Sequence, residues 1–583
     1  MFLGLDCSTQ GLKATLINDK LALVAEHAVH FDQDLPHFRT QGGVHRSADG
    51  SDNTVVTAPA LLWCEALDLL LTRMREEQRV DFGRVRALSG SGQQHGSVYW
   101  RRGAREQALA QLRGEGERER AEESPVWMDS STTRQCRALE ERLGGAQRVA
   151  DLTGSRAYER FTGLDGLFIF CQPIAKIIET QPSAYEATER ISLVSSLIAT
   201  LFLGSYAPID HSDGSGMNLM DISTKEWSEE AIAATEGPTA RGTLREKLGP
   251  LTPCHAVLGR VCSYFVKRYG FHPDCCVVAF SGDNPNSVAG MRLEKEGDVA
   301  ISLGTSDTVF GILKEPHPSE HEGHVFCSPL NSLEEYMALV CYKNGSLTRE
   351  DVRDRVDPSG GERSNKEKWA YFNQLLEEGQ PGNDGKLGFF FKETEITPPN
   401  VRGFYRFHAQ KLTSSSSPSE SSSSFLFEDK ERNQQWRVEY LAQPEVTFTP
   451  KEEARAVIEG QFLSMRLHAE RIGITSFHNI LATGGASANE CVTRILAHVF
   501  GAAVFTAETA NSASLGAAFR ALHGFLCHEK ETFIPFGKVT EQAVPFHQVH
   551  KREEEPFSLY SELLPVYAFC EQLIIDGRLS SLH

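Results

Sequence analysis

Phe2-Leu-Gly-Leu-Asp6-Cys-Ser-Thr9-Gln10-Gly-Leu-Lys13-Ala-Thr-Leu-Ile17 reads as strand, turn, strand. Phe2–Asp6 is a buried apolar run, and Lys13–Ile17 returns after a turn of small donors. A third run, Leu21–Phe31, adds another antiparallel strand. The Ser8 and Thr9 hydroxyls, the Gln10 amide and the backbone N–H groups around Gly11 form a nest suited to an anion, and Asp6 beside it suits a hydrated Mg²⁺. A plain hairpin with polar tips gives the same pattern. The device recurs in Gly297-Asp-Val-Ala-Ile-Ser-Leu303-Gly304-Thr305-Ser306-Asp307-Thr308-Val-Phe-Gly-Ile-Leu313. Two hydroxyl-rich hairpins, one opening each half of the chain, predict two related domains facing a shared cleft.

Between them stands Phe280-Ser-Gly-Asp283-Asn284-Pro-Asn-Ser-Val-Ala-Gly290. Cys275–Phe280 reads as a buried strand, and the small residues after Asn286 read as the tight start of a helix. A carboxylate at that junction is placed to meet a ligand, although a helix cap uses the same residue types. Thr57–Gln78 has helical spacing. Val85–Gly96 reads as a strand ending in a loop that presents Gln94 and His95. Its glycine spacing, Gly-x-Gly-x-x-x-Gly, is not the dinucleotide fingerprint. Pro125–Thr133 places Asp129 at another strand end before a helix, and Arg156 and Arg160 sit at helical spacing. Ile191–Leu203 reads as a buried helix, and Asp210–Asn218 as a turn-rich loop.

In the second half, residues 350–440 read as irregular. Within them Thr413–Ser424 is a low-complexity serine run that cannot bury a core, so a disordered loop is expected over about 411–432. Ala454–Arg471 is an amphipathic helix. Asn479-Ile-Leu-Ala-Thr483-Gly484-Gly485-Ala486-Ser487-Ala-Asn489 is a strand followed by a glycine turn and a helix. Such a turn lets backbone approach an anionic or flat ligand. Neither a P-loop nor a Gly-x-Ser-x-Gly elbow occurs.

Bulk properties narrow the field. At 583 residues the chain is too long for one ordinary core. A net charge of −19 argues against a general nucleic-acid or anionic-membrane surface. Met1–Asp6 lacks a basic leader segment, no stretch approaches a membrane span, and the 13 scattered cysteines point to reduced thiols in the cytoplasm rather than zinc.

Taken together, Gly4–Lys13, Ser89–Gly96, Gly282-Asp283-Asn284, Ser302–Ser306 and Thr483–Ser487 resemble, in order and over nearly the whole chain, the FGGY carbohydrate kinases. The resemblance implies an α/β fold of two ribonuclease H-like domains, of the actin/hexokinase/Hsp70 type, around a central cleft. It implies a sugar-binding domain over 1–290 and a nucleotide-binding domain over 291–575. It also implies ATP-dependent phosphorylation of a ketopentose, D-xylulose, whose product feeds the pentose phosphate pathway. By the same resemblance Asp283 is the general base. His95, Arg160, Asp283, Asn284 and Gln94 hold the sugar, with Asp129 beside it. Asp6 organises Mg²⁺ through water, and Thr9, Gln10 and Lys13 face the phosphates. Gly304, Thr305 and Ser306 meet them from the other domain. Gly484, Gly485, Ala486 and Asn489 line the adenosine pocket, with Trp369 at the adenine side. A monomer or homodimer acting on small molecules is expected.

Two segments depart from the family pattern. The apolar run Leu164–Pro173 follows Arg160 and is placed to displace it; its composition favours intron-derived sequence. The serine run is an insertion of a kind that costs little on a surface. Other expectations with the same ATP residues are a kinase for another sugar or polyol, and a catalytically silent sensor. Loss of Asp6 or Asp283 would mark the sensor, and both are present.

Overall fold

The computed structural model describes residues 1–48, 54–105, 123–126, 128–129, 131–157, 172–239, 242–412, 424–441, 448–507 and 511–579. Its frame is two mixed sheets of one design. In the first, Phe2–Cys7 lies at the centre. It is antiparallel to Gly11–Ile17, which is antiparallel to Leu23–His30. On its other side it is parallel to Ala87–Gly92, which is parallel to Cys276–Val278, and Val257–Arg260 closes that edge antiparallel. In the second, Asp298–Leu303 is central and antiparallel to Asp307–Leu313. It is parallel to Asn479–Thr483, which is parallel to Ala503–Thr506, and His547–His550 closes the edge antiparallel. Tyr336–Tyr342 and His324–Cys327 extend the far side. The repeat expected from the two hairpins is realised over six strands of each sheet, and His324–Cys327 has no counterpart among the described residues at the matching edge of the first.

The reason lies in the two faces of each central strand. All six residues of Phe2–Cys7 are buried, so the strand reads as a continuous run rather than an alternation. Helix Ala60–Glu76 covers one face of the first sheet with Leu62, Trp63, Ala66, Leu67, Leu70, Leu71 and Met74. The other face is covered from far along the chain by helix Ser512–Glu529, which packs on strands Phe2–Cys7 and Ala87–Gly92. That helix also lies against Asp283–Gly290, backbone to backbone. A Cβ at Gly516 would stand 1.9 Å from the Asn286 carbonyl oxygen, so only glycine permits the approach. A stretch that belongs by sequence to the second half thus completes the core of the first.

Four local expectations change. Ile191–Leu203 divides into strand Thr188–Leu193 and helix Val194–Leu203. Asp210–Asn218 contains a short helix, His211–Ser215, capped by the Asp210 carboxylate. Residues 350–440 are regular: helices Ser346–Val356 and Asn365–Glu378 precede a four-stranded antiparallel sheet of Lys386–Phe391, Gly403–Lys411, Ser424–Asp429 and Gln434–Tyr440. Trp436, Val438 and Tyr440 alternate inward, the period-2 signature of a half-buried strand. The serine segment 413–423 lies outside the described residues. The loop expected over 411–432 is bounded more tightly, because Ser424–Asp429 is a strand.

The last change concerns the helix read at Ala454–Arg471. It begins at Pro450, after a capping box of Thr449 and Glu452, and is buried along almost its whole circumference. Its charged positions are absorbed internally: Arg455 Nε donates to Glu459 Oε1 at 2.7 Å, and Tyr560 Oη donates to the same oxygen.

Candidate active site

The chemistry-bearing turns stand at the C-terminal ends of the parallel strands of each sheet, the edge where α/β sheets bind ligands. In the first sheet, Asp6 is flanked in register by Lys13 on one side and Ser91 on the other. Ser91 Oγ donates to Asp6 Oδ1 at 2.7 Å. Burial raises the Asp6 pKa, and the Ser91 hydrogen bond and the Lys13 charge offset part of that rise.

Asp283 follows the two-residue strand Ser281–Gly282, which pairs with Ser91 and Gly92, and opens helix Asp283–Gly290. The N-cap position is Gly282, and no side chain caps the helix. Asp283 Oδ1 instead accepts the Asn284 N–H at 2.9 Å, which orients the carboxyl group. Burial, and second to it the neighbouring negative charge of Asp6, push its pKa up to about 7, against the backbone N–H groups that hold it down. A carboxylate poised near neutral pH accepts a proton far more readily than an ordinary aspartate.

The loop after Ala87–Gly92 supplies the polar wall beside it. Asn284 Nδ2 donates to Gln94 Oε1 at 2.9 Å, leaving the buried Gln94 Nε2 without an acceptor. His95 is buried with its backbone in the left-handed region, φ 69°. Burial, and then His324 from the second sheet, hold its pKa well below the usual imidazole range, so it is neutral at physiological pH. Asp129 is also buried, and Ser131 donates both its N–H (3.0 Å) and its hydroxyl to Oδ1. Lys176 Nζ stands 3.9 Å from Asp129 Oδ2. Arg160 and residues 164–171 lie outside the described residues; Gln172 and Pro173 open helix Gln172–Thr180.

On the phosphate side, Thr9 Oγ1 donates to Gln93 Oε1 at 3.4 Å, Gln10 is exposed, and Lys13 projects beside Asp6. In the second sheet the turn Gly304-Thr305-Ser306 is the counterpart, with Thr305 exposed at its tip. Next to it Gly484 has φ 82°, and a Cβ there would stand 2.6 Å from the Leu303 carbonyl oxygen. The Gly484–Asn489 turn is thereby pressed against the end of the central strand. Asn489 Oδ1 accepts the N–H groups of Cys491 and Val492, and its Nδ2 donates to Asn373 Oδ1 at 2.8 Å. Asn373 lies one helical turn after Trp369, whose ring carries the Arg353 guanidinium 4.8 Å from its centroid. The end of the glycine turn is thus tied to the helix that carries Trp369.

Several supporting residues escaped the sequence reading. Arg349 and Asp307 form a fully buried bidentate pair (2.6 and 3.0 Å), and Arg349 also donates to the Gly304 carbonyl oxygen at 3.4 Å. Arg520 donates to Asp210 Oδ2 at 3.0 Å, to Asn286 Oδ1 at 2.9 Å and to the Cys254 carbonyl oxygen at 2.8 Å. Their partners are separated from them by 42 to 310 positions, and no periodicity announces such pairs.

Comparison with known proteins identifies the family. The model of the FGGY family of carbohydrate kinases, N-terminal domain, matches residues 1–290, and the C-terminal domain model of the same family matches 299–525. The chain is 46% identical to Xylulose kinase 2 of Arabidopsis thaliana over 549 residues, covering 93% of this chain and 90% of that protein. It is 45% identical to the xylulose kinase of Rattus norvegicus over 583 residues, covering 98% and 97%. Among solved structures, ligand-bound xylulose kinase from Lactobacillus acidophilus superposes with a TM-score of 0.71 at 16% identity, covering 99% of both chains. This chain belongs to the FGGY family of carbohydrate kinases.

Proposed function

We propose that this protein transfers the γ-phosphoryl group of ATP to the 5-hydroxyl of D-xylulose, giving D-xylulose 5-phosphate and ADP, with Asp283 as the general base. The observation that carries the reading is the Asp283 carboxyl, oriented by the Asn284 N–H and raised to about 7 beside Asp6, in a chain that matches xylulose kinases end to end. The free thiols of the described cysteines suit a cytoplasmic enzyme.

Phosphoryl transfer asks for positioning and charge neutralisation more than for a strong base. As O5 of the sugar bonds to the γ-phosphorus and the bond to the β-bridging oxygen breaks, the O5 proton passes to Asp283. Asn284 and Gln94, tied to each other, keep the hydroxyl-binding wall rigid, and neutral His95 stands on the same loop as Gln94 to meet a sugar oxygen. The Ser8–Gln10 and Gly304–Ser306 turns offer N–H and hydroxyl donors to the phosphates. The Gly484–Asn489 turn and Trp369 hold the nucleoside. The residues fit a hydrated Mg²⁺: Asp6 keeps Oδ2 available while Ser91 holds Oδ1, and a cation there relieves the repulsion between Asp6 and Asp283. Bound with ATP, Mg²⁺ neutralises charge on the β- and γ-phosphates.

The test is ADP release with D-xylulose, glycerol, ribulose, gluconate and no sugar. D-xylulose is expected to give turnover at least tenfold above the others. Preference for another sugar, or ADP release indifferent to sugar, would overturn the assignment.

A further inference from the structure

The motif Asp210–Asn218 takes no part in the mechanism above, yet it places a second carboxyl group beside the sugar wall. Asp213 is 2% exposed. Ser195 Oγ donates to its Oδ2 at 2.5 Å, while Oδ1 has no hydrogen-bond partner among the described residues. Arg520 forms its ion pair with Asp210, and among the described residues no ion pair is made with Asp213. A buried polar atom left without a partner is destabilising, and a native structure retains one where a ligand completes the bond.

Asp213 lines a void of about 10 Å³ together with His95, Ser97, Pro173, Ile174, Leu193 and Met217. A void of that size takes about one water or one hydroxyl. It therefore admits the end of a polyol chain, not a mid-chain carbon with neighbours on both sides. A ketopentose has two ends. If C5 is delivered to Asp283, the end left for this void is the C1 hydroxymethyl group. Two further unpartnered buried donors, Gln93 Nε2 and Gln94 Nε2, stand on the same loop as His95, and a polyol supplies oxygens for them.

We propose that Asp213 is a specificity-determining residue whose Oδ1 hydrogen-bonds the 1-hydroxyl of the sugar and so fixes its orientation in the site. The inference rests on the assignment of D-xylulose as substrate. Burial and the neighbouring Asp210 charge raise the pKa of Asp213 well above the carboxylate range. In its protonated form the group donates from Oδ1 while Ser195 occupies Oδ2.

The experiment compares wild type, Asp213→Asn and Asp213→Ala on D-xylulose and on 1-deoxy-D-xylulose, with circular dichroism and thermal melting to establish folding. Wild type is expected to disfavour the deoxy sugar by at least tenfold in kcat/KM. Asp213→Ala is expected to raise KM for D-xylulose at least tenfold and to bring that discrimination within about twofold. Asp213→Asn, which keeps the shape and a donor, is expected to retain most of it. If wild type turns over D-xylulose but does not disfavour the deoxy sugar, or if the folded Asp213→Ala enzyme keeps both the KM and the discrimination, the role of Asp213 is wrong and the substrate assignment stands. If wild type shows no D-xylulose turnover, the substrate assignment itself has failed, and this inference with it.

Discussion

Arg520 Nη1 donates to Asn286 Oδ1 at 2.9 Å inside the core of the first domain, although 234 positions separate them. Asn286 stands three residues after Asp283 on the same short helix. The same guanidinium holds Asp210 and the Cys254 carbonyl oxygen. The helix that aims the proposed base is thus fastened from the far end of the chain.

Arg520→Met should be strongly destabilising, because it strands the Asp210 carboxylate in the core. Breaking one partner of a buried ion pair costs about 3–5 kcal/mol. Chemical denaturation of the variant should show a loss of that order. A loss below 1 kcal/mol would mean that Asp210 finds another partner.

The acidic limb of kcat/KM should follow Asp283. The base must be deprotonated, and its pKa is about 7, so kcat/KM should rise with pH through neutrality. Asp6 contributes to that elevation. Asp6→Asn removes its negative charge and should move the limb to lower pH, while also lowering activity through loss of the metal-organising carboxylate. A pH profile of the residual activity measures the shift; a limb that stays in place would separate Asp6 from Asp283 electrostatically.

Arg349 should act on the nucleotide side. It joins Asp307 to the Gly304 carbonyl oxygen at the base of the phosphate-facing turn. Arg349→Lys keeps the charge but loses the bidentate fork. KM for ATP should rise about tenfold, with KM for D-xylulose within twofold of wild type, as steady-state kinetics with each substrate varied would show.

Stability should decline in mild alkali through His468, which lies between Glu322 and Glu571, at 2.6 and 3.0 Å. Those two carboxylates raise its pKa to about 9 against its burial. The folded pKa lies above the unfolded one, so the stabilisation is complete below about pH 6.5 and is lost as pH rises through about 9. Thermal melting across that window should show the fall, and His468→Gln should flatten it.

Legibility in the sequence followed the range of the interactions. The two hairpins were readable because short apolar runs and hydroxyl-rich turns are local, and Asp6, Asp283 and Gly484 sit at strand ends that such runs define. The sheet between Lys386 and Tyr440 was missed because its strands are broken by polar insertions, although Trp436, Val438 and Tyr440 already show the alternation. Arg349, Arg520 and Asp213 were invisible for another reason: their meaning comes from partners in other elements. Asp213 in particular reads as turn chemistry in the sequence, and only its burial beside Ser195 and His95 sets it apart.

The central claim is tested most directly by Asp283→Asn, assayed for ADP release with D-xylulose and, by titration calorimetry, for D-xylulose binding. General-base catalysis contributes about 10²–10⁴-fold. The predicted result is a fall in kcat of that size with D-xylulose still bound. A folded Asp283→Asn enzyme that keeps kcat within tenfold of wild type would contradict the assignment of Asp283 as the base.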